Sequence, residues 1–231
     1  MADQAKETGL DLDRLDLIIF DFDGTLAELN IDFAGMNKDV ADLAVEYGMD
    51  LEATGKTYTL EAVAELSRLH PEAGPEFSRR AEEAIVRREV AAARLGRLFP
   101  GVREGLSRLD GLGFKLAVIT RNCRPAVETV FPDIEACCHF FVPREDAPRP
   151  KPHPEHLGLV FDALGVEPQR SLVVGDHPMD IVTARRAGAW ACGVTTGWVG
   201  AEELAQADLV FDSLIEVVEA VAQSREEGRR H

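Results

Sequence analysis

Leu15-Asp16-Leu17-Ile18-Ile19-Phe20-Asp21-Phe22-Asp23-Gly24-Thr25-Leu26 is the stretch on which the reading of this chain turns. Residues 17–20 are apolar without alternation, the pattern of a strand buried on both faces. The run ends in two aspartates one residue apart, then glycine and threonine. A buried strand has no packing use for carboxylates at its carboxyl end. In an open α/β sheet that end faces the crevice where ligands bind. The pair could hold a divalent cation, attack an electrophile, or do both; Asp also favours turns and helix caps, so a capping pair is the bland alternative.

The surrounding chain supports an α/β sheet. Residues 1–13 are polar and expected to be loosely held. Residues 34–97 have little strand character and many Ala, Glu, Leu and Arg. Helical periodicity runs over 36–47, 59–69 and 76–98, with breaks at Gly48, Gly55 and 70–75. This predicts a small helical module inserted directly after the first strand. From Phe99 onward, expected strands at 115–120, 139–142, 171–175, 191–195 and 209–211 alternate with expected helices at 102–112, 125–130, 155–164, 179–187 and 214–223. Such alternation predicts a doubly wound parallel sheet with right-handed crossovers. The expected domains are an α/β core of residues 1–26 and 98–231 and an all-helical insertion at 27–97. The charged tail, 224–231, is expected to fray.

Bulk composition narrows the function. The 231 residues are 45% apolar and 29% charged, enough for a core of ordinary size, and the net charge is −16. That field repels nucleic acid and anionic membranes, so neither is expected as a partner. It also repels a phosphorylated small molecule, which local cations would have to draw in. The cysteines, Cys123, Cys137, Cys138 and Cys192, make no Cys-x-x-Cys pair and no zinc spacing, and read as small buried hydrophobes. No signal peptide or membrane-length apolar run is visible, so a cytoplasmic location is expected. A monomer or small homo-oligomer is expected.

Four polar features fall where strands or loops would end near one crevice: Asp21-Phe22-Asp23-Gly24-Thr25; Thr120-Arg121-Asn122; Lys151, between two prolines; and Gly175-Asp176-His177-Pro178-Met179-Asp180. Asp21, Asp23 and Asp176 make a hard-oxygen site suited to Mg²⁺. The Thr120 hydroxyl and the backbone N–H groups at Thr120-Arg121 could receive phosphate oxygens. Lys151 supplies a compact positive charge to the same oxygens. Together these are the means of phosphoryl transfer, which depends mostly on positioning and charge neutralisation. Two aspartates two positions apart allow one carboxylate to attack phosphorus while the other protonates the leaving alcohol and then deprotonates water.

With these four motifs in this order, the sequence resembles the haloacid dehalogenase-like hydrolases on their phosphatase side, in particular the phosphoglycolate-phosphatase-like group with a helical cap. The resemblance covers about residues 15–215. It implies a Rossmann-like core and a mobile cap that closes over the substrate and sets specificity. It implies Asp21 as nucleophile and Asp23 as general acid/base. Thr120 would bind phosphate, flanked by Arg121 and Asn122, and Lys151 would steady nucleophile and phosphate. The Mg²⁺ ligands would be Asp21, the Asp23 carbonyl and Asp176, with Asp180 supporting. The expected function is Mg²⁺-dependent hydrolysis of a small phosphomonoester metabolite, phosphoglycolate- or sugar-phosphate-like, through an aspartyl-phosphate. The alternatives are a phosphomutase of the same superfamily and a non-catalytic regulatory protein retaining the fold. The chain departs from the common pattern at His177-Pro178 and at 27–33.

Other residues have plainer readings. His153, His156 and His177 lack partners at metal-ligand spacing and read as structural or solvent-facing. Arg79, Arg80, Arg87, Arg88, Arg94 and Arg97 lie among glutamates and read mostly as a solvated helix face. Trp190 and Trp198 read as packing residues.

Overall fold

The structure is a computed structural model and describes residues 9–229. It divides into two compact units. One is formed by the described residues up to Leu29 together with those from Gly96 onward, and the other is Asn30–Leu95.

The first unit is built on a parallel six-stranded sheet. Its strands are β1 (Leu17–Phe20), β4 (Lys115–Ile119), β5 (Phe140–Val142), β6 (Ser171–Gly175), β7 (Trp190–Val194) and β8 (Leu209–Phe211), in the order β5-β4-β1-β6-β7-β8. β1 is central, with Ile19 opposite Ala117 of β4 on one side and Val173 of β6 on the other. All four residues of β1 are completely buried, as an unbroken apolar run between two helical layers requires. Each such side chain contributes about 1.5–3 kcal/mol when buried. The strand order reverses beside β1, between the excursion to β4 and β5 and the return through β6 to β8. A reversal of this kind places a ligand crevice at the carboxyl ends of the strands on either side.

A two-residue ribbon, β2 (Ala27–Glu28) with β3 (Arg97–Leu98), pairs antiparallel where the chain leaves and re-enters this unit, and Arg97 meets Glu28 at 2.5 Å. This corrects the expected helix over 76–98, which ends at Ala93. Two-residue strands carry no readable period. The helical insertion was expected at 27–97; the compact unit begins and ends inside the ribbon.

The helices of the α/β unit are α4 (Val102–Gly111), α5 (Arg124–Val130), α6 (Ile134–Cys137), α7 (Glu155–Leu164), α8 (Pro178–Ala187) and α9 (Leu214–Gly228). α9 runs five residues beyond the expected 214–223, so residues 224–228 are helical rather than frayed; 230–231 lie outside the described residues. Arg225 explains the extension: its guanidinium stacks on Phe114 at 4.1 Å and donates to the Leu15 carbonyl. Of the polar start, 1–8 lie outside the described residues, while Leu12–Arg14 form a helical turn and Leu10 and Leu12 are buried rather than loose.

The second unit contains α1 (Phe33–Glu46), α2 (Thr59–Leu69) and α3 (Gly74–Ala93). Its own core includes Met36, Val40, Leu66, Phe77 and Ile85. Asp32 caps α1 by accepting from the Gly35 N–H at 2.8 Å. Its arginines are largely committed within it: Arg79 to Glu76 and Glu83, Arg80 to Glu46, and Arg88 to Asp32 and Asp39.

The cysteines are free, and only Cys123 and Cys192 are fully buried; Cys137 and Cys138 are half-buried. Trp190 is half-buried and donates its indole N–H to the Gln169 carbonyl at 2.9 Å. Trp198 is 74% exposed, so it is not a packing residue. Among the described residues no helix is long and apolar enough to cross a membrane.

Candidate active site

The first motif is shaped by its backbone. The Asp21 N–H donates to the Val174 carbonyl at 2.9 Å, carrying the β1–β6 pairing one residue past the strand. The chain then turns tightly: the Phe22 carbonyl accepts from the N–H groups of Thr25, Leu26 and Ala27. Gly24 takes φ +79, and a Cβ there would lie 2.2 Å from Asp176 Oδ2, so the motif's glycine is required both for the turn and for the neighbouring carboxylate.

Lys151 lies in the loop before α7 yet is buried. It is 4% exposed, with its Nζ 2.5 Å from Asp21 Oδ1 and 2.7 Å from Asp180 Oδ1. Its backbone is held by His156, whose Nδ1 accepts from the Lys151 N–H at 3.1 Å and whose Nε2 lies 3.1 Å from the Val142 carbonyl. The two bonds require the neutral Nε2–H tautomer. Burial agrees, pushing the His156 pKa down to about 4.

Asp180 does two things with one carboxylate. Oδ1 takes Lys151, and Oδ2 accepts from the His177 N–H at 3.1 Å. The His177 ring accepts from the Met179 N–H at 3.1 Å, completing a reciprocal cap on α8. His177 is thus a capping residue. A Cβ on Gly175 would lie 2.3 Å from Asp180 Cγ, so that glycine makes room for the carboxylate. His153 accepts from the Glu155 N–H at 3.2 Å at the start of α7.

Asp21, Asp176 and Asp180 each present an oxygen within 4.8 Å of the other two, and all three are buried. Three carboxylates share one lysine. Burial is the largest influence on Asp21, raising its pKa to about 6 against the pull of Lys151. Burial, reinforced by Asp21 and Asp180, raises Asp176 to about 8. For Lys151, burial opposes the charge, but Asp180 and Asp21 outweigh it and hold the pKa above its ordinary value. Such a cluster is short of positive charge, and its hard oxygen donors fit a small divalent cation. The Asp23 carboxylate is half-buried and lies outside this three-oxygen group, though its charge reaches Asp176.

The β4 loop supplies neutral donors. Thr120 is 1% exposed; its N–H donates to the Val142 carbonyl at 3.2 Å, and its hydroxyl accepts from the Asn122 N–H at 3.0 Å. It does not cap α5, whose N-cap is Cys123. Asn122 Oδ1 accepts from the Cys123 N–H at 2.9 Å, while its buried Nδ2 has no hydrogen-bond partner among the described residues. An orphaned buried donor of this kind suits an anionic oxygen. Arg121 is half-buried, with Nη1 3.1 Å from Met179 Sδ.

Some residues that build the site were absent from the sequence reading. Arg144 is buried at 6% exposure, donates to the Arg121 carbonyl through Nη1, and bonds the Asn122 carbonyl through its own N–H at 3.2 Å. It ties the β5 loop to the β4 loop. Gly175, inside the fourth motif, and His156, near Lys151, are visible in the sequence, but their contacts with Asp180 and Lys151 are not. His156, which reads from the sequence as structural or solvent-facing, is structural: it is fully buried and holds the Lys151 backbone.

Comparison with known proteins agrees with this architecture. Residues 18–194 match the haloacid dehalogenase-like hydrolase family. The phosphoglycolate phosphatase of Vibrio cholerae is 30% identical over 222 residues, covering 90% of this chain and 97% of that protein. That of Escherichia coli K12 is 32% identical over 136 residues, 57% of this chain and 54% of that protein. A hydrolase from Pseudomonas syringae of known crystal structure has the same fold, with a TM-score of 0.68 at 21% identity, covering 90% of this chain and 98% of that one. The chain therefore belongs to the haloacid dehalogenase-like hydrolases, an enzyme family, and within it to the phosphoglycolate-phosphatase-like group.

Proposed function

We propose that this chain is a Mg²⁺-dependent phosphoric monoester hydrolase acting on a small phosphorylated metabolite, phosphoglycolate- or sugar-phosphate-like, through an aspartyl-phosphate. The observation that carries the reading is the buried group of Asp21, Asp176 and Asp180 around Lys151, at the carboxyl ends of β1 and β6. It combines a nucleophile, a cation-seeking oxygen set and a fixed positive charge within a few ångströms.

In this reading Asp21 attacks phosphorus, and the bond from phosphorus to the ester oxygen breaks. Asp23, as the carboxylic acid, gives its proton to the departing alkoxide. The resulting Asp23 carboxylate then takes a proton from water, whose oxygen attacks phosphorus and releases Asp21 and inorganic phosphate. Thr120 and Asn122, with Arg121 beside them, bind the non-transferring phosphate oxygens, and the Asn122 Nδ2 donor gains the partner it lacks. Lys151 neutralises charge on Asp21 and on the phosphoryl oxygens. The Asp21 and Asp176 carboxylates and the Asp23 carbonyl would hold Mg²⁺, supported by Asp180; when bound, the ion supplies charge neutralisation to the phosphoryl oxygens. The helical unit Asn30–Leu95 is read as the cap domain that carries specificity.

The test is phosphate release from a panel of phosphomonoesters, with Mg²⁺ and with excess chelator, for the wild type and Asp21→Asn. Turnover should require Mg²⁺ and fall by orders of magnitude in D21N, whose circular dichroism stays unchanged. Wild-type turnover by D21N would overturn the nucleophile, and turnover in chelator would overturn the metal.

A further inference from the structure

We propose that Thr196 and Gly197, on the loop that follows β7, are positioning residues that set the orientation of the Asp176 carboxylate and so control the affinity of the site for its cation. The inference rests on Asp176 being a metal ligand.

The argument is steric and then polar. The Asp176 carboxylate lies against two glycines from distant parts of the sequence. A Cβ would come within 2.2 Å of Asp176 Oδ2 at Gly24 and within 1.7 Å at Gly197. At both positions the atoms met are the end of the Asp176 side chain, so an added methyl group would have to displace that buried carboxylate. Gly24 belongs to the first motif; Gly197 belongs to none of the four.

The two glycine-bearing segments are joined by one side chain. Thr196 Oγ1 donates to the Gly24 carbonyl at 2.6 Å, across 172 positions of sequence. The loop is also secured at its ends. The Thr195 N–H donates to the Phe211 carbonyl at 3.0 Å, extending the β7–β8 pairing. The Gly200 N–H donates to Glu203 Oε2 at 2.6 Å. Thr196 is therefore a fixed strut that holds the slot around Asp176 at one width. Without its hydroxyl the Gly24 carbonyl is released, the slot can widen, and the Asp176 carboxylate gains orientations that a bound cation would have to restrict again. Groups that orient a metal ligand without touching the metal typically change affinity 10–100-fold when removed.

Mg²⁺ binding by isothermal titration calorimetry, on metal-stripped full-length protein without substrate, tests this. Thr196→Val should weaken binding by about tenfold, and Thr196→Ser, which keeps the hydroxyl, should stay within about twofold of wild type. Gly197→Ala should abolish measurable binding while the far-ultraviolet circular dichroism stays that of wild type. Equal affinity in wild type and T196V, or equal loss in T196V and T196S, would overturn the inference even if G197A fails to fold. Absence of Mg²⁺ binding by the wild type would instead overturn the metal reading on which it rests.

Discussion

Replacing Lys151 by Met keeps the side chain's length and removes its charge. In the wild type its ammonium lies 2.5 Å from Asp21 and 2.7 Å from Asp180, and the residue is 4% exposed. The variant leaves three buried carboxylates facing one another within 4.8 Å. Removing one partner from a buried ion pair costs about 3–5 kcal/mol, because the remaining charge keeps its desolvation penalty. In a chain of this size each kcal/mol moves the thermal midpoint by about 2–4 °C, so the expected fall is about 6–20 °C. The deficit also has a predicted pH dependence. Asp21 and Asp176 titrate in the folded state near pH 6 and 8, above the ordinary carboxylate value. Groups raised in this way favour folding at low pH, and that contribution is lost as pH rises through the folded values. Lys151 holds both down, so its removal raises them further. Lys151→Met should therefore be weakest at pH 8 and recover toward wild type at pH 5. Urea unfolding in chelator, followed by tryptophan fluorescence, reports this unit specifically, since Trp190 and Trp198 both belong to it. A loss below about 1 kcal/mol at pH 8, or the same loss at both pH values, would refute the reasoning. Adding Asp180→Asn to the variant should restore part of the stability, with a coupling of about 1 kcal/mol or more.

The same geometry makes further predictions. Mg²⁺ at a hundredfold excess over its dissociation constant should stabilise the protein by about 2.7 kcal/mol, and its affinity should rise between pH 6 and 8 as Asp21 and Asp176 lose their protons; pH-independent calorimetric affinity would contradict this. Gly24→Ala should lose about 1–2 kcal/mol from its left-handed backbone alone, and Mg²⁺ binding with it, because the new methyl meets Asp176; unfolding and calorimetry read the two effects separately. His156 is buried and neutral, with its pKa lowered to about 4, so it favours folding above its unfolded value and loses up to about 3 kcal/mol as pH falls from 6.5 to 4. His156→Gln, which cannot titrate, should show a shallower acid limb in urea unfolding. An unchanged limb would show that the wild-type ring is not held neutral.

The site was legible where its chemistry is local. Asp21 and Asp23 close a run whose complete burial could be read from unbroken hydrophobicity, and Asp176 follows a second such run. Lys151 could be named from its place in a motif, but its burial and both carboxylate partners come from elements far apart in sequence. Asp180 was readable as a helix-start acid; its second bond, to Lys151, was not. Arg144 carried no signal, because an arginine after a short strand is ordinarily solvated, and only the approach of the β5 loop to the β4 loop buries it. The β2–β3 ribbon was invisible for want of length. The helical tail is not legible from its charges, which look solvated, because the order there comes from Arg225 stacking on Phe114. Trp198 erred the other way: a large apolar residue expected to pack stands in solvent.

By itself the sequence determined the alternation of elements, the parallel sheet, the helical insertion and the identity of the polar groups at the strand ends. Those follow from periodicity and from short-range backbone preference, which act over a few residues. Only the tertiary structure decided which of those groups meet. Asp21, Lys151, Asp176 and Asp180 come from two strand ends, the first turn of α8 and a loop, the strand ends adjoining because β1 pairs with β6, and three glycines, at 24, 175 and 197, leave the space the carboxylates occupy. The physical reason is that desolvation and Coulomb energy depend on distance in space. A carboxylate that would titrate as an ordinary acid along the chain becomes, once buried beside two others and one lysine, a group in need of a cation.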